Sequence, residues 1–439
     1  MKTFEGDVYF LNTTQDDFEG HGPRTAHRGL SYVGSRSPVA EYEGYEDTIS
    51  RKESYDTTLT LHQLSLVPSA KEGDSTLFEF FVTSICPNLS SSETENPYRE
   101  FIIPLSLSCA PLYHAILSWA ATEVSFTNHA RKDAYAVVAA DYKGRALKGL
   151  REEIEAAQGS AASGDWSSVL TTIIILSAND IAETCSQAWV EHLSAARVLC
   201  HMVWGDRPAT HDRFRRFVVM WFTSHDIMSR TAWVRKTLFD PSEWFAGDDE
   251  AEVDPIIACS RGVIQQVSAI GALIMESRSP MSGEGAAALS ARRDAIEGRL
   301  HSLHQRVSGA GDGTGELLQV AESKRLCALI YLYACIDNAT PASPVIQGLT
   351  RRVMRILAGL PARPSIIFSL FVVGTLGVCS EGDRRLVLDK FHSLIKMRCL
   401  ATAIKARDVA VNVWLDRDLG RYGRWEDLVE TKSKLLSLA

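Results

Sequence analysis

Closely spaced cysteines are missing from this sequence. None of its nine cysteines forms a CxxC pair with another, and the first of them is Cys86. A structural zinc site needs nearby thiolates and a secreted disulfide framework needs a dense cysteine pattern, so neither is predicted. Most of the cysteines lie inside apolar helical patterns, which is typical of reduced, buried thiols in an intracellular protein.

Long hydrophobic runs are also missing. The longest, SIIFSLFVVGTLGVC at 365–379, is shorter than the roughly 20 residues of a membrane-spanning helix, so it is predicted to be a buried helix. The N-terminus, MKTFEGDVYF, has Glu5 and Asp7 where a secretory signal peptide would be apolar, so no signal peptide is expected. No membrane association is therefore predicted.

Positive charge is scarce. The formal net charge is −8 and the pI is about 5.9, whereas affinity for nucleic acid or anionic membranes requires a positive field. No basic run is long enough for a nuclear-import cluster, because the basic pairs are isolated from one another: Arg215-Arg216, Arg292-Arg293, Arg351-Arg352 and Arg384-Arg385. Direct binding to nucleic acid is not predicted.

The chain divides into two parts of different composition. Residues 1–74 are rich in Gly, Ser, Glu and Arg without a sustained hydrophobic period, and are predicted to be a disordered or linker-like segment. From Ser75 onward the pattern is helical, so residues 75–439 are predicted to form one all-α domain, a large multi-helix bundle. Hydrophobic residues make up 45% of the chain, which allows that domain a sizeable core.

Apolar residues recur every three or four positions in the predicted helices. One such face contains Tyr135, Val138, Tyr142, Ala146, Leu150 and Ile154; another contains Trp189, Leu193, Ala196, Cys200 and Val203. Alternating apolar and polar runs with hairpin turns are not found, so a sheet is improbable. Further helices are predicted near 211–232, 255–277, 285–306, 316–337, 344–359, 365–379, 383–399 and 401–416.

Three prolines divide the apolar stretch NPYREFIIPLSLSCAPLYHAILSWAA (96–121). Pro97 suits the first turn of a helix, where its missing N–H costs nothing. Pro104 and Pro111 stop or kink the segments that precede them. The stretch is therefore predicted to form a short helix, a break and a second helix, packed at an angle.

This stretch also resembles the start of the fungal-specific regulatory domain, which follows the DNA-binding region in fungal binuclear zinc-cluster transcription factors. The resemblance begins with Phe80-Phe81, CPNLS, NPYR, PLS and LYHAILSWAA. It continues through YKGRALKGLREEI (142–154) and LTTIIILSANDIAETCSQAWVEHLSAARVLC (170–200). Near the end, FVVGTLGVCSEGDRRLVLDKF and VAVNVWLDRD…RWEDLV are similar to the family's closing elements. The shared order spans about residues 75–430.

The resemblance implies a nuclear regulator of transcription that senses an effector or represses activity. The family binds DNA through six N-terminal cysteines that hold two zinc ions, and residues 1–74 contain no cysteine. A regulator of this kind would act through a transcription factor or corepressor partner. A further hypothesis is a truncated gene model, with the zinc cluster upstream of Met1.

Several motifs were weighed as sites of chemistry. His301 and His304 are spaced as a metal pair, but no third ligand is suggested and arginines surround them. The SHD sequence at 224–226 contains the residue types of a hydrolase triad, but neighbours on a helix point in different directions. The glycine-rich SGAGDGTGE at 308–316 lacks the GK[ST] of a phosphate loop. We predict no metal, no cofactor and no catalytic residue from these motifs.

Two carboxylates, Asp180 and Glu183, follow an apolar run three positions apart. Their spacing allows them to share a face and a proton. Helix capping or a salt bridge is the favoured interpretation.

Tyrosines and tryptophans are frequent within the apolar helices, mostly as core residues. A helical domain of this composition can also enclose a pocket for a small apolar molecule. The residues proposed for such a pocket are His114, Trp119, Tyr135 and Tyr331.

An enzyme is the alternative to a regulator. The helical scaffold would then act on an apolar intermediate of fungal secondary metabolism, for example as a cyclase, and would be cytoplasmic. Such a catalyst needs a shaped, dry cavity and a few hydrogen-bond donors rather than a motif. The candidate donors are His114, Tyr135 and Tyr331.

Overall fold

A computed structural model describes most of the predicted helical domain. It covers residues 73–92, 95–159, 166–205, 212–233, 235–245, 249–278, 283–308, 313–398, 400–421 and 435–439. The predicted linker-like segment 1–74 lies outside these residues except for Gly73 and Asp74. Asp74 belongs to the first described helix, is buried, and accepts a hydrogen bond from Tyr142.

The described residues form an all-α fold, as predicted. The α-helices are α1 (Asp74–Phe80), α2 (Ile103–Ser106), α3 (Ala110–Thr127), α4 (Lys132–Gly159), α5 (Ser167–Glu183), α6 (Ala188–Trp204), α7 (Arg213–Ser229), α8 (Pro241–Trp244), α9 (Arg261–Ser277), α10 (Gly283–Ser302), α11 (Thr314–Cys335), α12 (Pro344–Gly359), α13 (Ile367–Val372), α14 (Glu381–Met397) and α15 (Ala401–Asp418). Short π-helical or 3₁₀ turns join several of them: Phe81–Ile85, Cys86–Asn88, Tyr98–Ile102, His129–Arg131, Pro364–Ile366 and Val373–Gly377.

The proline-divided stretch forms two angled helical segments, as predicted. Pro97 precedes the π-helical turn, Pro104 lies in the first turn of α2, and Pro111 lies in the first turn of α3. The segment Tyr98–Ser106 is bent by 116° relative to α3. This bend lets both segments bury their apolar residues in one core.

Helix α3 is the centre of the N-terminal half. It is buried on nearly all sides and packs mainly on α4 and α5. The Ser118 hydroxyl donates to the Ala139 carbonyl of α4 at 2.9 Å and accepts from the Asn179 amide of α5 at 3.0 Å. The predicted inner face of α4 is confirmed from Tyr142 to Ile154, which are buried at the expected spacing.

Helix α11 is the centre of the C-terminal half. It packs against α9, α10, α12 and α13, and most of its residues from Leu317 to Tyr333 are buried. The apolar run at 365–379 is a buried helix, as predicted, made of α13 and the π-helical turn Val373–Gly377. The Trp414 indole of α15 donates to the Gly374 carbonyl of this turn at 2.6 Å.

The helix predicted near 255–277 begins later than expected, at Arg261. Residues before it form a two-residue antiparallel ladder, in which β1 (Val253–Asp254) pairs with β2 (Cys259–Ser260). The Asp254 carboxylate accepts from the backbone N–H of Ile256 at 2.9 Å, and Ala258 has a positive φ of 47°. This side-chain-to-backbone turn competes with helix formation, which is the physical reason for the difference.

The described cysteines agree with the prediction of reduced, mostly buried thiols. Eight cysteines are free thiols, and six of these are buried. No single helix in the described ranges has the length and apolar composition of a membrane span. The two segments Tyr98–Ser106 and Ala110–Thr127, which are bent relative to each other, are long and apolar enough only when they are taken together.

Candidate functional site

A cavity of about 120 Å³ lies where α3, α5, α7 and α11 meet. The loop after α1, the ladder turn at 256–257, the segments at the start of α13 and α15, and the C-terminal residue Ala439 also line it. The lining residues with aromatic or basic side chains that bear on its chemistry are Tyr98, Trp119, Trp221, His225, Lys324 and Arg398.

Aromatic side chains form one wall of the cavity. The Trp221 indole donates to the Tyr98 hydroxyl at 2.7 Å, and the Trp221 and His225 ring centroids are 3.9 Å apart. Burial raises the pKa of Tyr98 above its usual value, so its hydroxyl stays neutral and can donate a hydrogen bond. The ring faces of this wall are apolar, and its hydrogen-bonding groups lie at the edges of the rings.

His225 is a neutral imidazole in this setting. Burial, assisted by the charge of Lys324, lowers its pKa to about 3. One ring nitrogen, Nδ1, lies 2.8 Å from the Ser437 hydroxyl. His225 is nevertheless partly accessible, and it is one of the residues that line the cavity.

Lys324 is the most unusual lining residue, because its side chain is buried at 1% exposure. Its Nζ donates to the Ile257 carbonyl at 2.6 Å, and no described carboxylate lies within ion-pair distance of it. Burial lowers the pKa of Lys324, opposed by the nearby thiols of Cys259 and Cys327. Burial also raises the pKa of each of these thiols to about 12, so they remain protonated.

Arg398 adds a second buried cation, and this one is paired. Its Nε donates to Glu123 of α3 at 3.0 Å, and a second guanidinium nitrogen contacts the other carboxylate oxygen. Both side chains are less than a tenth exposed. The guanidinium also lies over the Trp119 ring, 6.0 Å from its centroid, a cation–π arrangement.

The residues of the SHD sequence point in different directions, as predicted. The Ser224 hydroxyl donates to the Trp221 carbonyl at 2.9 Å, while His225 contacts Ser437. The Asp226 carboxylate accepts from the backbone N–H groups of Leu238 and Phe239. A hydrolase triad is therefore not formed by these three side chains.

The salt-bridge interpretation of Asp180 and Glu183 is confirmed. Lys143 of α4 contacts the Asp180 carboxylate at 2.5 Å and the Glu183 carboxylate at 2.9 Å. Burial raises the pKa of Asp180, but His192 at 3.3 Å and Lys143 outweigh this effect and leave that pKa below its usual value. Through Lys143, the two carboxylates thus fasten α4 to α5.

His301 of α10 and His304 of the loop after it each contact a different protein group. His301 Nε2 lies 3.3 Å from the Tyr333 hydroxyl, and His304 Nδ1 lies 2.7 Å from the Ser302 carbonyl. Within the described ranges, no cluster of three or more metal-ligating side chains is found. Four residues of the glycine-rich loop, 309–312, lie outside the described residues.

The four residues proposed for a pocket are placed apart. Trp119 lines the cavity. His114 stacks against Tyr142 with ring centroids 6.0 Å apart, Tyr135 is half-buried on α4, and Tyr331 is buried in α11. These three are not among the residues that surround the cavity. Their role in ligand binding stays a prediction.

Sequence reasoning missed Lys324 and Arg398, and it did not place His225 at a cavity. One signal was present for Lys324. It lies on the same helical face as Val320, Cys327 and Ala328, all of them buried. A lysine at a core position of an amphipathic helix is expensive to bury and therefore indicates a special environment.

A family model described as the fungal specific transcription factor domain matches residues 76–439. The match confirms the resemblance and includes every helix from α2 to α15 and all but the first two residues of α1. No curated protein and no solved structure shows a significant match to the chain.

Proposed function

The chain belongs to the family that carries the fungal specific transcription factor domain, and from this premise we propose that it regulates transcription by sensing a small ligand and acting through a partner. The single observation that carries the proposal is the extent of the family match, residues 76–439, which includes nearly all of the described helices. A family domain of this size supports regulation by analogy, and the cavity supplies a site where a ligand would act.

Contact with DNA is assigned to the partner. The sequence has no cysteine before Cys86 and a net charge of −8, so it offers neither thiolate ligands for an N-terminal zinc cluster nor a positive field for DNA. A transcription factor or corepressor that binds this domain would bring it to its target genes. The proposed location is the nucleus.

Ligand sensing is proposed because the cavity joins distant parts of the chain. Its lining runs from Asn88 to Ala439 and includes residues of α3, α5, α7 and α11. A bound molecule would contact all of these helices together and stabilise one arrangement of them. A ligand shifts a conformational equilibrium only by its difference in affinity for the two states, and such shared contacts provide that difference.

The proposal is tested by tethering the full chain to a heterologous DNA-binding protein upstream of a reporter gene. We expect reporter expression to change several-fold, in either direction, relative to the DNA-binding protein alone. A reporter without the binding sequence is the matched control and should not respond. Unchanged expression on both an activated and a basal promoter would contradict the proposal.

The cyclase alternative is not favoured by the family match. It predicts accumulation of one apolar intermediate in cells that lack the protein, with transcripts unchanged. These two readouts separate it from the regulator.

A further inference from the structure

We propose that the central cavity binds a small organic anion, with an apolar or single-ring body against Trp119 and Trp221 and an anionic group at Lys324. This inference rests on the proposed function, because it names the chemical class of the ligand that the domain senses. It goes beyond the apolar ligand that the sequence suggested.

The charged side chains of the cavity wall are all basic. Its basic side chains are Lys324, Arg363 and Arg398, and none of its described lining residues is Asp or Glu. Arg398 is balanced by Glu123, and Arg363, whose side chain is exposed, lies 3.2 Å from Glu316. Lys324 alone among the three has no carboxylate partner in the described part of the chain, so its ammonium is the group that an anion would neutralise.

The position of Lys324 favours a ligand contact over a purely structural role. A buried ammonium costs several kcal/mol unless it is paired, and its one protein hydrogen bond, to the Ile257 carbonyl, is to a neutral acceptor. An ammonium has three donors, and the hydrogen bond to Ile257 uses one of them. His225, neutral and partly accessible, lines the same cavity and adds a polar group to its wall.

The walls and volume limit the body of the ligand. Trp119 and Trp221 present aromatic surface, while Ala178, Ile181 and Ile367 make the remainder apolar. The cavity of about 120 Å³ is close to the ~150 Å³ cavity that is known to admit benzene. The space therefore suits one ring or a short branched chain, not a polycyclic molecule.

A charge series of one shape tests the proposal directly. Benzoate, benzamide and benzamidine are nearly isosteric and carry negative, zero and positive charge. Their dissociation constants for the full chain would be measured by isothermal titration calorimetry. Because a hydrogen bond to a charged group contributes about 1.5–3 kcal/mol, benzoate should bind about 10- to 100-fold more tightly than benzamide, and benzamidine most weakly.

Two variants locate the binding. Lys324→Met replaces the ammonium with an unbranched apolar side chain one heavy atom shorter. It should reduce benzoate affinity to the level of benzamide while benzamide affinity stays unchanged. Ala178→Met adds volume to the cavity wall and should reduce the affinity of both. The matched control is Lys148→Met, because Lys148 is exposed on α4 away from the cavity; it should behave like the wild type.

Either of two results would overturn the proposal: equal affinities for benzoate and benzamide in the wild type, or a benzoate preference that survives Lys324→Met. Absence of binding by all three compounds would overturn it as well. None of these results decides the regulator proposal, which is read from the tethered reporter. A reporter response without benzoate binding leaves a regulator whose cavity does not take anions.

Discussion

At the scale of single residues, Lys324 is placed where it weakens the fold. Its side chain is fully buried on the inner face of α11, and burial lowers its pKa. A methionine at this position would fill similar space without the cost of desolvating an ammonium. Residues that bind ligands are often retained at such a cost in stability.

Lys324→Met is therefore expected to stabilise the protein in the absence of ligand. The variant loses the hydrogen bond to Ile257, which leaves a buried carbonyl unsatisfied at a cost of about 1–3 kcal/mol. The variant also avoids the unfavourable free energy of burying an ammonium, which is several kcal/mol. The expected net result is an increase of roughly 0.5–2 kcal/mol in the free energy of unfolding at neutral pH, measured by urea denaturation. A lower stability would contradict this account of Lys324.

The pH dependence of the difference in unfolding free energy between Lys324→Met and the wild type provides an internal control. The pKa of Lys324 is lower in the folded state than the usual value of about 10.4 in the unfolded chain. Between these two pKa values the unfolded state binds more protons, so the stability of the wild type rises with pH in that window. The advantage of the variant should therefore shrink as the pH approaches 10.

At the scale of elements, the Arg398–Glu123 pair joins the two halves of the domain. It connects α3 to the segment before α15, across 275 positions of sequence. Because both groups are buried, removal of one partner leaves an uncompensated charge in the interior. Breaking such a pair typically costs about 3–5 kcal/mol.

Glu123→Gln is expected to reduce the free energy of unfolding by roughly this amount, measured by urea denaturation. The double variant Glu123→Gln/Arg398→Met should recover part of the loss, because it removes the unpaired cation as well. The exposed pair Arg213–Glu100, at 2.8 Å, is the matched control, and Glu100→Gln should cost less than about 1 kcal/mol. Equal losses of unfolding free energy in Glu123→Gln and Glu100→Gln would show that the buried pair stabilises the fold no more than the exposed pair does.

Hydrophobic periodicity predicted the helices well because tertiary packing does not oppose it here. Tyr142, Ala146 and Leu150 recur at helical spacing, and the structure buries all three against α3. The start of α9 was not predicted, because the turn at Asp254 depends on a side-chain hydrogen bond to the backbone of Ile256 that apolar spacing does not reveal.

At the scale of the whole molecule, the cavity could not be predicted from local sequence. Its walls come from residues as far apart as Tyr98, Lys324 and Arg398, and only the packing of the helices brings them together. Among the four residues suggested by aromatic content, Trp119 alone lines it. A high content of aromatic residues indicates that a pocket is possible. The buried basic side chains of Lys324 and Arg398 indicate which cavity we propose as the binding site.

The central claim, that this protein regulates transcription, is tested most directly by transcript profiling of a deletion strain with metabolites recorded from the same cultures. The account predicts that a coherent set of genes rises or falls and that the wild-type gene restores their expression. Unchanged transcripts together with accumulation of a single intermediate would contradict it and would indicate an enzyme built on this fold.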